Sequence, residues 1–335
     1  MEISVNAGSN ETSLKGDLVV PERRIPVPMT ISSQAQAFLA APPPARETEE
    51  PDPEDQAAWR VYIDSMQEMV MSHVSELEFR YPAKIEALPL ANASLYVITP
   101  ENLAPEDESR AILYVHGGGF IVGGDRAAAI AALPLACASG CRVYSIDYRM
   151  PVDFPFPAGL DDVCDAYLRV LEEHRPENVA VFGVSAGGGL APAMLIRMRD
   201  RGEPLPAAAV LFTPGADISE SGDTYETNQH IDVVLKTRMP KTFALYANGT
   251  DLRDPELSPV FADYTKGFPP TLLISGTRDI LLSTTVIMHR ALRRAGIEAD
   301  LHVFEAMPHA GFRGAPEDAE VLAEQVRFIT ERLGR

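Results

Sequence analysis

Val179-Ala180-Val181-Phe182-Gly183-Val184-Ser185-Ala186-Gly187 is a short apolar, β-prone run that closes on a serine with a glycine two positions to either side, and Gly188 to Arg199 continues with helical character. The stretch predicts a strand ending near Val184, a very tight turn at Ser185 and a helix beginning near Ala186. Such a turn strains the serine backbone and stands its hydroxyl clear of the sheet, and Gly183 and Gly187 meet the steric demand. A strand that runs straight into a helix is the unit of a parallel sheet, so the same alternation is expected on both sides.

Upstream, lead-in strands near Ile85 to Leu88 and Ala93 to Thr99 precede strand 110–116, helix 126–138, strand 141–146 and helix 157–173. Downstream come strand 207–213, strand 271–276, helix 283–295, strand 299–304 and helix 316–333. In the last helix Leu322, Val326, Ile329 and Leu333 recur at helical spacing and mark a face for the sheet. The sum is an α/β chain with a mostly parallel eight-stranded sheet flanked by helices.

Two segments fall outside the alternation and read as a helical cap. Pro42-Pro43-Pro44, the acidic run to Glu50 and Pro51-Asp52-Pro53 form a stiff linker between a short helix near 31–40 and a longer one near 54–72. In the longer helix Trp59, Ile63, Met66 and Val70 make one apolar stripe, with Tyr62 and Met69 beside it. That stripe either packs on the other half of the cap, about 218–250, or lines a substrate pocket with Trp59, Met66 or Met69. The division expected is 1–80 as cap segment and linker, 81–217 as the first part of the core, 218–250 as the second cap segment and 251–335 as the rest of the core.

A serine hydroxyl becomes a useful nucleophile when a base takes its proton, and an imidazole serves as that base when a carboxylate fixes its tautomer and steadies its charge. In the chain order serine, acid, histidine, the candidates are Asp279 in Gly276-Thr277-Arg278-Asp279 and His309 in Met307-Pro308-His309-Ala310-Gly311-Phe312. Each follows an expected strand, which puts both at the carboxyl edge of the sheet, where open α/β folds bind ligands. Glu305 is a rival acid; the glycine-bearing turn favours Asp279. His73, His174, His230, His289 and His302 read as surface or packed histidines.

Attack on a carbonyl builds negative charge on its oxygen, and donors already aimed there lower the barrier. Ala186 supplies an amide directly after the serine. After strand Ala111-Ile112-Leu113-Tyr114-Val115, the run His116-Gly117-Gly118-Gly119 can turn the Gly117 and Gly118 amides to the same point, with His116 holding the loop.

With these residues in view, the chain from about residue 80 onward resembles the hormone-sensitive-lipase-like (bacterial family IV) branch of the α/β-hydrolases, and Ile25-Pro26-Val27-Pro28 adds a weaker echo. Asp147-Tyr148-Arg149-Met150-Pro151 and Phe154-Pro155-Phe156-Pro157-Ala158 extend the likeness. The resemblance implies a carboxylesterase with a two-part cap, with Ser185, Asp279 and His309 as triad and Gly117, Gly118 and Ala186 as oxyanion donors. It also allows a homodimer through the last sheet edge and helix. Val184, Gly189 and Ser283 depart from the commonest pattern of that branch, nearer to sequences labelled ε-lactone hydrolases. They bear on the substrate and leave every reacting group in place. Lactone or amide hydrolysis at the same site, and a ligand-binding protein that reuses the scaffold without chemistry, are the competing readings.

Composition agrees. The chain has 335 residues, of which 46% are hydrophobic, enough for one large core with an accessory lobe. A net charge of −19 argues against nucleic acid and anionic membranes as partners and favours a neutral small-molecule ester as substrate. Three cysteines, Cys137, Cys141 and Cys164, make no disulfide framework and no recognisable metal spacing; no metal or organic cofactor is expected. Met1 to Val20 lacks the apolar centre of a secretion signal, so a cytoplasmic location is expected. Ala127 to Ala138, the longest apolar run, is too short to span a bilayer and reads as one buried helix.

Overall fold

The computed structural model describes residues 18, 20–22, 24–41 and 49–334. The linker read from Pro42 lies outside the described residues as far as residue 48.

Among the described residues eight strands make one sheet: β1 (Ala83–Pro89), β2 (Ser94–Pro100), β3 (Ala111–Val115), β4 (Arg142–Asp147), β5 (Val179–Val184), β6 (Ala208–Phe212), β7 (Thr271–Gly276) and β8 (Ala299–Phe304). Their order is β1-β2-β4-β3-β5-β6-β7-β8. β2 runs against both neighbours, and the strands from β3 to β8 are parallel. The helices are α1 (Ser33–Ala40), α2 (Gln56–Val74), α3 (Leu77–Arg80), α4 (Arg126–Ala131), α5 (Leu133–Ser139), α6 (Ala158–Leu171), α7 (Gly187–Asp200), α8 (Thr224–Thr227), α9 (Pro240–Ala247), α10 (Leu282–Arg294) and α11 (Pro316–Arg332). The expected mostly parallel sheet flanked by helices is the architecture observed.

All of β3 is buried, because side chains pointing to either face meet a helical layer. Leu113 and Val115 join Val181 and the apolar residues of α6, α7 and α10 on one face. Ile112 and Tyr114 join Ala180, Phe182 and the residues of α5 and α11 on the other, where the Tyr114 and Phe182 rings stack at 5.3 Å. The pairing of Val115 with Gly183 ends β3 and β5 at the same level, so the loops that follow them emerge side by side.

The buried helix expected over 126–138 is two helices. Pro134 has no amide for the Ile130 carbonyl and its ring crowds that position, so the chain closes α4 with Ala132 N donating to Ala129 O at 3.2 Å and begins again with proline in the first turn of α5. The residues expected to form the first cap segment part company. Helix α1 sets Ile31, Ala35 and Leu39 among Phe312, Val321 and Phe328 beside α11, and Ser32 gives both its amide and its hydroxyl to Glu317. Helix α2 lies near the ends of the strands and packs Trp59 and Tyr62 on Ile121 and Val122, with Leu245 of α9 alongside. Glu50 joins this stretch to α9 through Thr242 Oγ1, which donates to its carboxylate at 2.6 Å. No helix among the described residues is long and apolar enough to cross a membrane.

Candidate active site

Ser185 occupies the turn between β5 and α7 with φ of 54°, a left-handed backbone that a serine adopts at a cost. Its surroundings leave no alternative. A side chain on Gly183 would meet the Gly187 carbonyl oxygen at 2.3 Å, and one on Gly187 would meet the Val115 oxygen at 2.0 Å. The turn is tied down from both sides by β6, since Ser185 N donates to Phe212 O at 3.0 Å and Gly215 N to Ser185 O at 2.8 Å.

Asp279 and His309 follow β7 and β8 and reach the same place. His309 Nε2 lies 2.8 Å from Ser185 Oγ and its Nδ1 lies 3.1 Å from Asp279 Oδ1. With the Nδ1 proton on Asp279, Nε2 carries the lone pair that faces the hydroxyl. Asp279 is fully buried, yet its carboxylate is satisfied: Ser275 Oγ donates to Oδ2 at 2.6 Å and Leu281 N to Oδ1 at 2.9 Å. Burial alone would push the His309 imidazole down. The hydrogen bond and charge of Asp279, with the charge of Asp232, carry it above the ordinary histidine value of 6.5. Glu305, the rival acid, is exposed, and Asp279 is the carboxylate beside the imidazole.

Gly117 lies against Ser185, Ala186 follows it in the chain and lines the same cavity, and Gly118 follows Gly117 in the loop. A Cβ on Gly117 would come 2.9 Å from the Ser185 Cβ. Gly118 takes a φ of 123°, open to glycine, and its carbonyl accepts from Ile121 and Val122 at 3.1 Å each, which curls the loop. His116 holds that loop from beneath: Nδ1 lies 2.7 Å from the Gly117 carbonyl oxygen, and the ring stacks on Tyr148 at 4.2 Å. Burial pushes its pKa down to about 4, so the ring is neutral at ordinary pH.

The cavity at Ser185 is walled by Gly119, Phe120, Ala186 and Gly215 of the core and by Glu220, Leu235, Thr237, Arg238, Met239 and Phe243 of the stretch between β6 and β7. It is small, about 20 Å³. Trp59, Met66 and Met69 do not line it. Trp59 is buried against Ile121 and Val122, its Nε1 donating to Asp52 O at 3.0 Å; Met66 packs at the edge of that cluster and Met69 is exposed. The apolar stripe was legible as a buried face, but it rests on the loop behind Gly119.

The other histidines stand apart from Ser185. His174 is buried against Tyr144 and the Ser109 carbonyl. His73 meets Arg313, His302 meets Glu324, His289 reaches the Ala299 carbonyl and His230 is exposed.

Two side chains at the site escaped the sequence reading. Gln67 of α2 accepts from Gly123 N at 2.7 Å and donates to Gly124 O at 3.0 Å, clamping the far end of the glycine loop; nothing in its helix marks it. Asp232 is fully buried beside Asp279 and His309. Its signal was present: an acid inside the apolar run Ile231-Asp232-Val233-Val234 needs partners if that run is buried.

Residues 112–313 match a family described by its alpha/beta hydrolase fold. An acetyl-hydrolase of Streptomyces hygroscopicus is 36% identical over 204 residues, covering 60% of this chain and 68% of that one. An esterase of Acinetobacter venetianus is 26% identical over 236 residues, covering 68% and 77%. Among solved structures, an esterase superposes with a TM-score of 0.85 at 34% identity, covering 94% of this chain and 98% of the other. An esterase from the bacterial hormone-sensitive lipase family does so at 0.75 and 30% identity, covering 91% and all of its own chain.

Proposed function

The chain belongs to the α/β-hydrolase fold family, in its hormone-sensitive-lipase-like branch, and from that premise we propose that this carboxylic ester hydrolase is a serine esterase for short- to medium-chain esters, working through an acyl-enzyme. One observation carries the reading: the hydrogen-bonded line from Asp279 through His309 to Ser185, ending beside Gly117.

Ser185 Oγ bonds to the ester carbonyl carbon as its proton passes to His309 Nε2. The charge that collects on the carbonyl oxygen is received by the amides of Gly117, Gly118 and Ala186, each such donor contributing about 3 kcal/mol. Asp279 remains ionised and stabilises the imidazolium. Collapse breaks the bond to the leaving oxygen, and His309 returns the proton to the departing alcohol. Water then enters, gives a proton to His309 and attacks the acyl carbon; collapse breaks the bond to Ser185 Oγ, which takes the proton back from His309 as the acid leaves.

The small cavity supports a short acyl group. It also supports a neutral one, since the Arg238 guanidinium in its wall is already paired with Glu220 and Glu226. In this reading α2 and 218–250 supply the cap. Cys137, Cys141 and Cys164, which form no disulfide, support a cytoplasmic location, and exposed Val303 on edge strand β8 supports pairing with a second copy.

Hydrolysis of p-nitrophenyl esters of increasing chain length, with stoichiometric phosphonate labelling of Ser185, tests the proposal. Rapid turnover of short-chain esters, declining as the chain lengthens past medium length, is expected. An absence of both turnover and labelling would overturn it.

A further inference from the structure

Asp232 belongs to the stretch between α8 and α9, outside the sheet, yet its carboxylate reaches the main chain of both loops that carry the acid and the base. It receives four N–H groups. His309 N donates to Oδ1 and Oδ2 at 3.3 and 3.2 Å, Ile280 N to Oδ2 at 3.0 Å, and Val234 N and Leu235 N to Oδ1 at 2.9 and 3.1 Å. Asn228, one turn earlier, continues the attachment: its Oδ1-bearing amide gives Nδ2–H to the Thr277 and Asp279 carbonyls at 3.2 and 2.8 Å, and its own carbonyl accepts from Asp232 N at 3.0 Å.

A fully buried carboxylate is expensive unless its lone pairs are met, and these lone pairs are met by the main chain of the two catalytic loops. Leu235, whose amide also serves Asp232, walls the cavity at Ser185. One short segment therefore faces the substrate with one residue and holds the loops of Asp279 and His309 with another.

We propose that Asp232 is a positioning residue of the triad, which holds the backbone of His309 and of the residue after Asp279 so that the imidazole spans Ser185 and Asp279, and which adds a second negative charge behind the imidazolium formed during turnover. The inference rests on the triad reading given under the proposed function. Asp232 touches no reacting atom and acts through His309. The charged groups that face it are Asp279, after β7, and His309, after β8; those that act on His309 are Asp279 and Asp232.

Asp232→Asn separates this role from simple packing. The amide keeps the shape but turns an NH2 towards N–H donors, so bonds on one side are lost, and the charge is removed. Wild type, Asp232→Asn and Asp232→Glu are assayed with p-nitrophenyl acetate across pH, with thermal melting as the check on folding. For Asp232→Asn kcat falls about 10- to 100-fold, as expected for a displaced catalytic group, while KM stays within about 2-fold. The acid limb of kcat/KM moves to lower pH, because the charge that raises the His309 pKa is gone. For Asp232→Glu, which keeps the charge, kcat falls but the limb stays at its wild-type pH. An unmoved limb in folded Asp232→Asn, or wild-type kcat in either variant, overturns the inference. If Asp232→Asn does not fold, the Asp232→Glu arm decides: a lowered kcat with the limb at its wild-type pH upholds the inference, and a wild-type kcat or a displaced limb overturns it. A wild-type protein that neither turns over the ester nor labels at Ser185 fails the esterase reading itself, which is a distinct result.

Discussion

Gly117 presses its α-carbon against Ser185: a methyl group there would sit 2.9 Å from the serine Cβ, 3.0 Å from the Val184 carbonyl oxygen and 3.7 Å from Oγ. The loop after β3 and the turn after β5 are thus in van der Waals contact before any substrate arrives. Gly117→Ala is expected to push the donor loop off the oxyanion position and lower kcat by about 100-fold, the scale of losing one such donor, with little change in KM. Steady-state kinetics on a p-nitrophenyl ester reads this directly.

Ser185→Ala and His309→Ala should each reduce kcat by about 1000-fold or more, and their combination should cost little beyond either alone, because the two act as one unit. Additive losses in the double variant would contradict the shared proton transfer.

Replacing Asp279 with Asn is expected to lower kcat by about 10,000-fold, by presenting the wrong tautomer of His309. Glu305→Gln should be neutral, since that carboxylate is exposed while Asp279 bonds Nδ1. A greater loss from the Glu305 change would reassign the acid.

In the proposed mechanism the neutral imidazole of His309 is the base, and its pKa is raised above 6.5 in the folded protein. Activity is therefore lost as pH falls through that raised value, and the acid limb of kcat/KM is expected above pH 6.5. Stability has the opposite sense. The extra stability from charged His309 is fully present below the unfolded value and is lost as pH rises through the folded one. A pH–rate profile with its acid limb below 6 would show that the paired carboxylates do not hold the proton as described.

Met239 crosses above the glycine loop, its Cε 3.7 Å from where a Gly119 side chain would begin, and Glu220 fixes it by accepting its amide at 2.8 Å. Met239→Ala is expected to deepen the cavity by a few methylenes and to shift the preferred p-nitrophenyl ester from acetyl towards butyryl or longer. Unchanged chain-length preference would move the limit to another wall.

The sheet and the three side chains that meet at Ser185 were readable because each leaves a local trace. Gly183 and Gly187 answer a steric need inside five residues, and Asp279 and His309 each follow a run of β-formers. Asp232 left a fainter mark, for its role depends on meeting a backbone amide 77 positions away. The cavity wall at Leu235 to Met239 has neither helical nor strand periodicity to give it away. Trp59 shows the complementary case: its spacing declared a buried side but could not name the surface that buries it, and that surface is Ile121 and Val122. Pro134 was in plain view, and the break it makes in 126–138 follows from its missing amide.

Because Val115 and Gly183 occupy facing rungs of one ladder, the glycine loop and Ser185 are spaced by hydrogen bonds between neighbouring strands rather than by anything laid over them. Alteration of the outer segments, where Met239 and Leu235 reside, leaves that spacing intact. Descendants of such a chain are free to exchange one ester for another by rewriting the wall around Asp232 while the spacing of the glycine loop and Ser185 is inherited unaltered.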